Sequence, residues 1–533
     1  MAPPAADDRT PTTPRREVDV LVVGGGINGA GIARDLAGRG ARVLLCEKDD
    51  LAAHTSSAST KLIHGGLRYL EYREFGLVRK ALAEREVLLK SAPHIMWPLR
   101  FVMPHDPSMR PVWMIRLGLF LYDHLARREV LPGSRTIDLR THPAGAALKR
   151  EFSKGFVYSD GWVDDARLVA LCAVDAAERG ATVLTRTACV DAVRGADHWQ
   201  VRLQAARGGT LQVAAKSLVN AAGPWAAEFL SAHAHAAEHV HLRLVKGSHI
   251  VVPKVFEHDH AYIFQNADRR IIFAIPYERD YTLIGTTDVE HRGAIGDAHA
   301  DAGEIEYLCA QASRYLARPI TPAVVVWTYS GVRPLLDDES GNPAAVTRDY
   351  RLELDTAGGA PLLSVWGGKI TTFRKLAEEA AALLAPAIPE VPLGGAWTAA
   401  AHLPGGDLRA FLGAGAPPEA NVDATFERFV DALRERFPQV APSLLHNLAR
   451  RYGTRALPLL AAGLGAEIAP DVFVGELAHL RAREWARTGE DVLWRRTKLG
   501  LHLDDAGRAA VSAWMALQDE DVRAFGAEDV PLG

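Results

Sequence analysis

A run of β-branched and apolar residues, Val18 to Val23, broken only by Asp19, leads directly into Gly24-Gly25-Gly26-Ile27-Asn28-Gly29. Such a run predicts a strand buried on both faces. Helical patterning from Asn28 to Arg39 and a second strand over Arg42 to Cys46 complete a βαβ unit, the building block of a parallel sheet. The glycine run fits G-x-G-x-x-G in the context that gives that pattern its meaning. Gly24 permits the tight turn, Gly26 lets a pyrophosphate approach the backbone, and Gly29 lets the helix pack close to the strand. Ile27 and Asn28 open a helix whose N–H groups and dipole favour an anion. Glu47, 18 positions beyond Gly29, ends the second strand, where it can accept ribose hydroxyls. The unit marks a dinucleotide site and is equally compatible with NAD and FAD.

Later loops separate these two. Ser56, Ser57, Ser59, Thr60, Lys61, His64, Gly65, Gly66 and Arg68 form a small, polar, glycine-broken stretch. It suits a segment passing under a pyrophosphate and along an isoalloxazine, with hydroxyl and N–H donors. Val219 to Trp225, containing Gly223-Pro224, ends another strand. Val365 to Thr372, containing Gly367-Gly368-Lys369, ends a third and opens a helix that runs through Lys375 to Leu384. A helix N-terminus there can face the edge of a flavin where negative charge develops. Three glycine loops at strand ends favour one large cofactor lying across them. Arg68, His249, Arg333 and Lys369 each sit beside such a segment, and converging cations suit a dianion such as a phosphate monoester. His249 also lies in the apolar run Ile250 to Val252, so a satisfied core histidine is the competing reading.

The 533 residues exceed a single core, so two or three domains are expected. A net charge of -4 offers no field for nucleic acid. Four cysteines, Cys46, Cys172, Cys189 and Cys309, lack the spacing of a disulfide framework or a metal site. Helices are predicted at Val78 to Lys90 and Asp165 to Arg179. Strands are predicted at Thr182 to Leu184, Ser217 to Asn220, His249 to Val252, Ile271 to Ile275, Tyr281 to Ile284, Val324 to Trp327 and Leu362 to Val365. Beyond a Pro/Gly break at Ile388 to Gly395, helix formers dominate, which predicts an α/β body followed by an all-helical C-terminal domain. Met1 to Arg16 reads as a disordered lead-in without a secretory h-region. Val112 to Leu125 is the most apolar stretch, but Arg116 and Asp123 interrupt it, so it does not span a bilayer.

Together these residues resemble the aerobic, FAD-dependent glycerol-3-phosphate dehydrogenases. The match is carried by Gly24 to Ile32, Lys61 to Leu70, Tyr158 to Leu168, Lys246 to His249, Gly285 to Asp288, Trp327 to Pro334, Gly367 to Thr372 and Leu493 to Lys498. The resemblance implies a D-amino-acid-oxidase-like fold: a Rossmann-like FAD-binding domain, an interleaved mixed β-sheet substrate domain and a helical cap. It places residues 17–100, 155–240 and 325–388 in the first, 101–154 and 241–324 in the second, and 396–533 in the third. It implies non-covalent FAD held by Gly24, Gly26, Ile27, Asn28, Gly29, Glu47, Ser56, Ser57, Ser59, Lys61, Leu62, His64, Gly65, Gly66, Val190, Gly223, Trp225, Arg333, Gly368, Lys369, Ile370 and Thr371. The substrate site it implies is Arg68, Tyr69, His249, Arg333 and Lys369.

The reaction so implied is oxidation of sn-glycerol 3-phosphate to dihydroxyacetone phosphate, with electrons passed to a membrane quinone at the cytoplasmic face of the inner membrane. The cations orient C2 over the flavin. His249, with an ordinary pKa near 6.5, is the first candidate base and His64 the second. The stretch Trp113 to Tyr122, followed by Arg127 and Arg128, reads either as a peripheral membrane anchor or as a core helix of the substrate domain, the latter favoured. The helical domain shows no catalytic constellation and is left to homodimer formation or partner docking. Rival readings are an oxidase that uses oxygen, an amino-acid or 2-hydroxy-acid oxidase, and a non-catalytic flavin-containing docking protein.

Overall fold

The computed structural model describes residues 15–106, 110–236, 240–266, 268, 270–336 and 349–524. The first strand starts at Arg15, so Arg15 and Arg16 belong to the sheet rather than to a disordered lead-in. The remainder of that lead-in lies outside the described residues.

Among the described residues, eight strands form the first sheet. Its main path runs Arg351–Asp355, Leu362–Trp366, Thr210–Asn220, Arg15–Val23, Val43–Cys46 and Thr182–Leu184. Arg15–Val23 pairs in parallel with both Thr210–Asn220 and Val43–Cys46, and Thr210–Asn220 pairs in parallel with Leu362–Trp366. The three strands that end in glycine loops are therefore neighbours pointing the same way. Their loops emerge side by side at one edge, where ligands bind in such sheets. The helix Ile27–Gly38 is rich in Ala and Gly, and this lets it lie close to its neighbours. A Cβ on Gly31 would stand 2.8 Å from the Phe373 ring. Ala30, Ala33 and Leu36 share one core with Leu168 and Ala173 of the Asp165–Glu178 helix and with Leu376 of the Phe373–Leu384 helix.

The second sheet has ten described strands and is largely antiparallel. Its main path runs Val289–Glu290, Leu242–Pro253, Tyr281–Gly285, Ile271–Tyr277, Ala261–Gln265, Met96–Pro104, Lys154–Val163 and Leu62–Ile63, with Trp327–Leu336 on Leu242–Pro253. This sheet takes residues 62–63, 155–163 and 327–336, which the expected segment boundaries gave to the cofactor layer. The strand expected over Val324 to Trp327 begins only at Trp327, because Pro322–Val324 forms a 3₁₀ turn. Proline at the head of that turn has no N–H to give a ladder.

The helix Val112–His124 departs from the favoured core reading. Only Leu119 and Tyr122 are buried, while Trp113 is 65%, Met114 42%, Leu117 51% and Phe120 53% exposed. No helix among the described residues is long and apolar enough to cross a membrane.

The C-terminal region is mostly helical, with its own core around Phe426, Phe429, Leu448 and Leu477, and a two-stranded ladder at Glu467–Ala469 and Val472–Phe473. It is riveted to the cofactor layer by buried ion pairs. Arg496 reaches both oxygens of Asp50 at 2.7 Å and Arg495 reaches one at 2.7 Å. Arg186 holds Asp491 at 2.7 Å, and Arg167 pairs with Glu484. Asp50 lies three residues beyond Glu47, so the C-terminal helices fix the end of the loop that follows the Val43–Cys46 strand.

His94 is fully buried at this junction, with both ring nitrogens unpartnered. Burial, with Arg167 and Arg450 adding, pushes it down to about 3. A folded-state value below the unfolded one means that acid favours unfolding. Stability is lost as pH falls below about 6.5, by about 2 kcal/mol at pH 5. Urea titrations at pH 7 and pH 5 are expected to differ less in His94→Leu than in the parent, by about that amount.

Candidate active site

At the loop edge of the first sheet, two lobes of about 340 Å³ each meet at Thr55, Pro334, Gly367 and Gly368. One lobe is lined by Gly24, Gly26, Ile27, Asn28, Glu47, Ser56, Val190, Gly223 and Trp225. The other is lined by Thr60, Leu62, His64, Gly66, Arg68, Tyr69, Arg333, Lys369, Ile370 and Thr371. Most of the residues read from the sequence thus converge on one elongated cavity.

The glycine turn has the expected division of labour. Gly24 holds φ +111°, and a Cβ there would meet the Ala221 carbonyl oxygen at 2.4 Å; a Cβ on Gly29 would meet the Gly24 oxygen at 1.9 Å. Those two glycines close the turn, and Gly29 stays behind the cavity wall. A Cβ on Gly26 meets only Ser56 Oγ at 3.1 Å, so its face looks into the cavity. The helix beginning at Ile27 carries no acidic residue in its first turn, and Ile27 N donates to Ser56 Oγ at 3.0 Å. Asn28 donates to the Gly367 carbonyl at 3.0 Å, while its buried Oδ1 has no partner. Glu47 accepts from Gly25 N at 2.6 Å and Asp49 N at 2.8 Å; burial raises its carboxyl, and those two N–H groups counter this. An anion-ready helix start, an orphaned amide oxygen and a bare glycine face fit a dinucleotide.

At the far lobe, Gly368 holds φ +101°, and the 3₁₀ turn Ile370–Thr372 leads into the Phe373–Leu384 helix without an acidic first turn. Lys369 Nζ lies 3.9 Å from the Tyr69 ring centroid. Arg333 Nη2 donates to the Thr287 carbonyl at 3.0 Å and pairs with Asp288 at 2.6 Å. Behind it, Glu304 accepts from Thr287 Oγ1 at 2.7 Å and Ser248 Oγ at 2.9 Å, and pairs with Lys246 at 2.7 Å. Arg68 has no ion-pair partner among the described residues.

Several expected contact residues stand behind the wall instead. Lys61 and Asp165 form a buried ion pair at 2.7 Å, and Ser59 gives both N and Oγ to the same carboxylate. Ser57 Oγ donates to the His54 carbonyl at 3.2 Å. Gly65 N donates to Tyr122 Oη at 2.8 Å and to Asp160 at 3.2 Å. These four residues shape the loop rather than line it. His249, 2% exposed, is also absent from the wall. Its Nε2 meets Thr60 Oγ1 at 2.9 Å and its ring stacks on Tyr329 at 4.7 Å. Burial, then Lys61 and Arg333, hold its pKa well below 6.5, so the imidazole is neutral at physiological pH. The wall also contains Asp288, Gln265, Asn266 and Arg270, which the sequence reading did not place in the site. Asp288 followed a strand-end Gly-Thr-Thr and carried a readable signal; the other three carried none. All four cysteines are free and buried, and among the described residues no cluster suits a metal ion.

Residues 19–374 match the family described as FAD dependent oxidoreductase. The chain belongs to that family, and FAD is its cofactor. It is 52% identical to a D-erythritol 1-phosphate dehydrogenase of Brucella abortus, over 93% of this chain and 97% of the relative. It is 49% identical to a glycerol-3-phosphate dehydrogenase of Pseudomonas aeruginosa, with 95% and 96% covered, and 47% identical to the aerobic glycerol-3-phosphate dehydrogenase of Escherichia coli, with 93% and 97% covered. The structure of the glycerol-3-phosphate dehydrogenase from Bacillus halodurans complexed with FAD superposes with a TM-score of 0.73 at 26% identity, covering 95% of this chain and 92% of that one. These relationships identify an enzyme and exclude the non-catalytic docking reading.

Gly26→Val is expected to leave far-UV circular dichroism unchanged, because a Cβ at that position meets only the Ser56 hydroxyl. The added methyls occupy the anion's place, so the purified protein should lose its flavin absorbance.

Proposed function

We propose that this enzyme oxidises sn-glycerol 3-phosphate to dihydroxyacetone phosphate and passes the electrons to a membrane quinone. The observation that carries the reading is the meeting of Arg68, Arg333 and Lys369 on one cavity wall, beside the Gly367–Thr371 loop. A phosphate monoester is a dianion, and guanidinium groups pair with its oxygens bidentately. The Asp288 carboxylate and the Thr287 carbonyl both take Arg333 Nη2, and Arg333 lines the cavity. Bound FAD supplies a two-electron acceptor for the hydride leaving C2. Arg68, Arg333 and Lys369 fix C2 in the reactive orientation, a positional contribution worth several kcal/mol, on the order of 7–11 at best.

His249 is the base in this reading, with the proton moving from the C2 hydroxyl to Thr60 Oγ1 and on to Nε2. The 2.9 Å contact and the neutral state of the imidazole support this relay. His64, on the cavity wall, is the second candidate. The 52% identity to a D-erythritol 1-phosphate dehydrogenase favours a second substrate with the same chemistry, a secondary alcohol next to a phosphate ester. Anaerobic addition of either compound should bleach the flavin on the timescale a stopped-flow instrument resolves, and a quinone analogue should restore it. Bleaching by neither, or reoxidation by oxygen alone, overturns the reading.

The exposed face of Val112–His124 supports docking on the cytoplasmic membrane surface. Trp113, Leu117 and Phe120 present apolar area, and Arg127, with 88% of its side chain exposed, lies just beyond the helix for anionic headgroups. Leu117→Glu combined with Phe120→Glu is expected to abolish co-sedimentation with vesicles containing anionic phospholipid, while flavin reduction by substrate is retained.

A further inference from the structure

Arg333 lines the cavity, but much of what aims it lies behind the wall. Its Nη2 donates to the Thr287 carbonyl at 3.0 Å and to Asp288 Oδ1 at 2.6 Å, and a Cβ on Gly247 would meet that nitrogen at 2.8 Å. Nη2 carries two hydrogens, and the two oxygens take both. A guanidinium is planar and rigid, so anchoring one nitrogen sets where its other N–H groups point. Thr287 is anchored in turn. Its hydroxyl donates to Glu304 Oε1 at 2.7 Å and accepts from Ser248 N at 2.9 Å. Ser248 Oγ meets the same Glu304 oxygen at 2.9 Å and Ser330 Oγ at 2.8 Å. A carboxylate only accepts, so Ser248 gives its hydrogen to Glu304 and Ser330 donates to Ser248. Ser330 and Arg333 share the Trp327–Leu336 strand, which pairs with Leu242–Pro253. Ser248, Thr287 and Glu304 are buried, and none of the three lines the cavity.

Glu304 also closes a capping box at the start of the Ala302–Tyr315 helix, where Oε2 accepts from Asp301 N at 3.2 Å and pairs with Lys246 at 2.7 Å. Capping uses Oε2 and is served as well by glutamine. It does not account for Oε1, whose two donors come from outside the helix. We infer that Glu304 is a positioning residue for anion capture. Through the Thr287 hydroxyl it holds the Thr287–Asp288 segment, and that segment holds the Arg333 guanidinium. The inference rests on the phosphate-ester reading given above and deepens it by naming what aims one of the three cations. Glutamine at this position cannot reproduce the carboxylate. With its oxygen on Asp301 N it turns N–H donors on the two hydroxyls; with its oxygen on the hydroxyls it turns them on Lys246.

The test measures anaerobic flavin reduction by sn-glycerol 3-phosphate in the FAD-loaded enzyme, as rate per unit concentration. Glu304→Gln is expected to lower it about tenfold, the kind of loss that a small misplacement of a binding group produces. Far-UV circular dichroism and flavin absorbance should stay those of the parent. In an Arg333→Lys background the same substitution should change the rate by less than about twofold, because the planar group it aims is gone. Thr287→Val cuts the link at its middle and should reproduce the loss of about tenfold. Thr287→Ser keeps the hydroxyl and should recover most of it. A purely structural role for Glu304 gives the same loss in both backgrounds, and that result overturns the inference. So does an unchanged rate in Glu304→Gln, or equal rates in Thr287→Val and Thr287→Ser. Where Glu304→Gln loses FAD, or Arg333→Lys shows no reduction over hours, the Thr287 pair decides alone. No reduction in the parent is the separate outcome in which the phosphate-ester reading itself fails, and the inference with it.

Discussion

Lys61 and Asp165 meet at 2.7 Å with almost no exposure on either side chain, at the point where the chain crosses from the first sheet into the second. Lys61 adopts a left-handed backbone conformation there, at φ +60°, and the next two residues form the Leu62–Ile63 strand of the second sheet. Asp165 belongs to the first layer, opening the helix that packs on Ile27–Gly38. By accepting from Ser59 N, Ser59 Oγ and Lys61 Nζ, one carboxylate fixes the seam between the layers. Removing one partner of such a pair leaves an uncompensated charge, at a cost of about 3–5 kcal/mol. Leu62, His64 and Gly66 reach the cavity wall from this crossing.

The cavity's electrostatics are layered in a similar way. Arg333 is aimed by Asp288 and the Thr287 carbonyl, and Thr287 is in turn held by Glu304 from a helix on the outer side of the sheet. Glu304 is itself neutralised by Lys246. Arg333 is thus held in place from behind, which limits the reorganisation it would need if an anion bound there.

Sequence reasoning reached residues that line one lobe of this cavity because their signals are local. Gly24, Gly26, Gly29 and Glu47 lie within one βαβ unit, and each has a steric or hydrogen-bonding reason for its place. It reached Arg68, Arg333 and Lys369 because each stands next to a glycine or strand-end segment. It mistook Ser59 and Lys61 for cofactor contacts, because a polar loop residue looks the same whether it faces a ligand or a buried carboxylate 104 or 106 positions away. His249 came out half right: the neighbouring Ile250 to Val252 signalled burial, but not the Thr60 hydroxyl that links it to the wall. The core reading of Val112–His124 failed because apolar content alone does not say which side of a helix is covered.

The grip of the C-terminal helices on Asp50 also has a temporal side. Arg495 stands 445 positions and Arg496 446 positions after the carboxylate they hold. At ordinary synthesis rates of about 5–20 residues per second, that separation is about 20–90 s. During that interval the nascent chain owns its glycine turn and Glu47, but lacks the arginines that hold the end of the loop after Glu47. The earliest element of the cofactor site to leave the ribosome is therefore among the last to be locked in place.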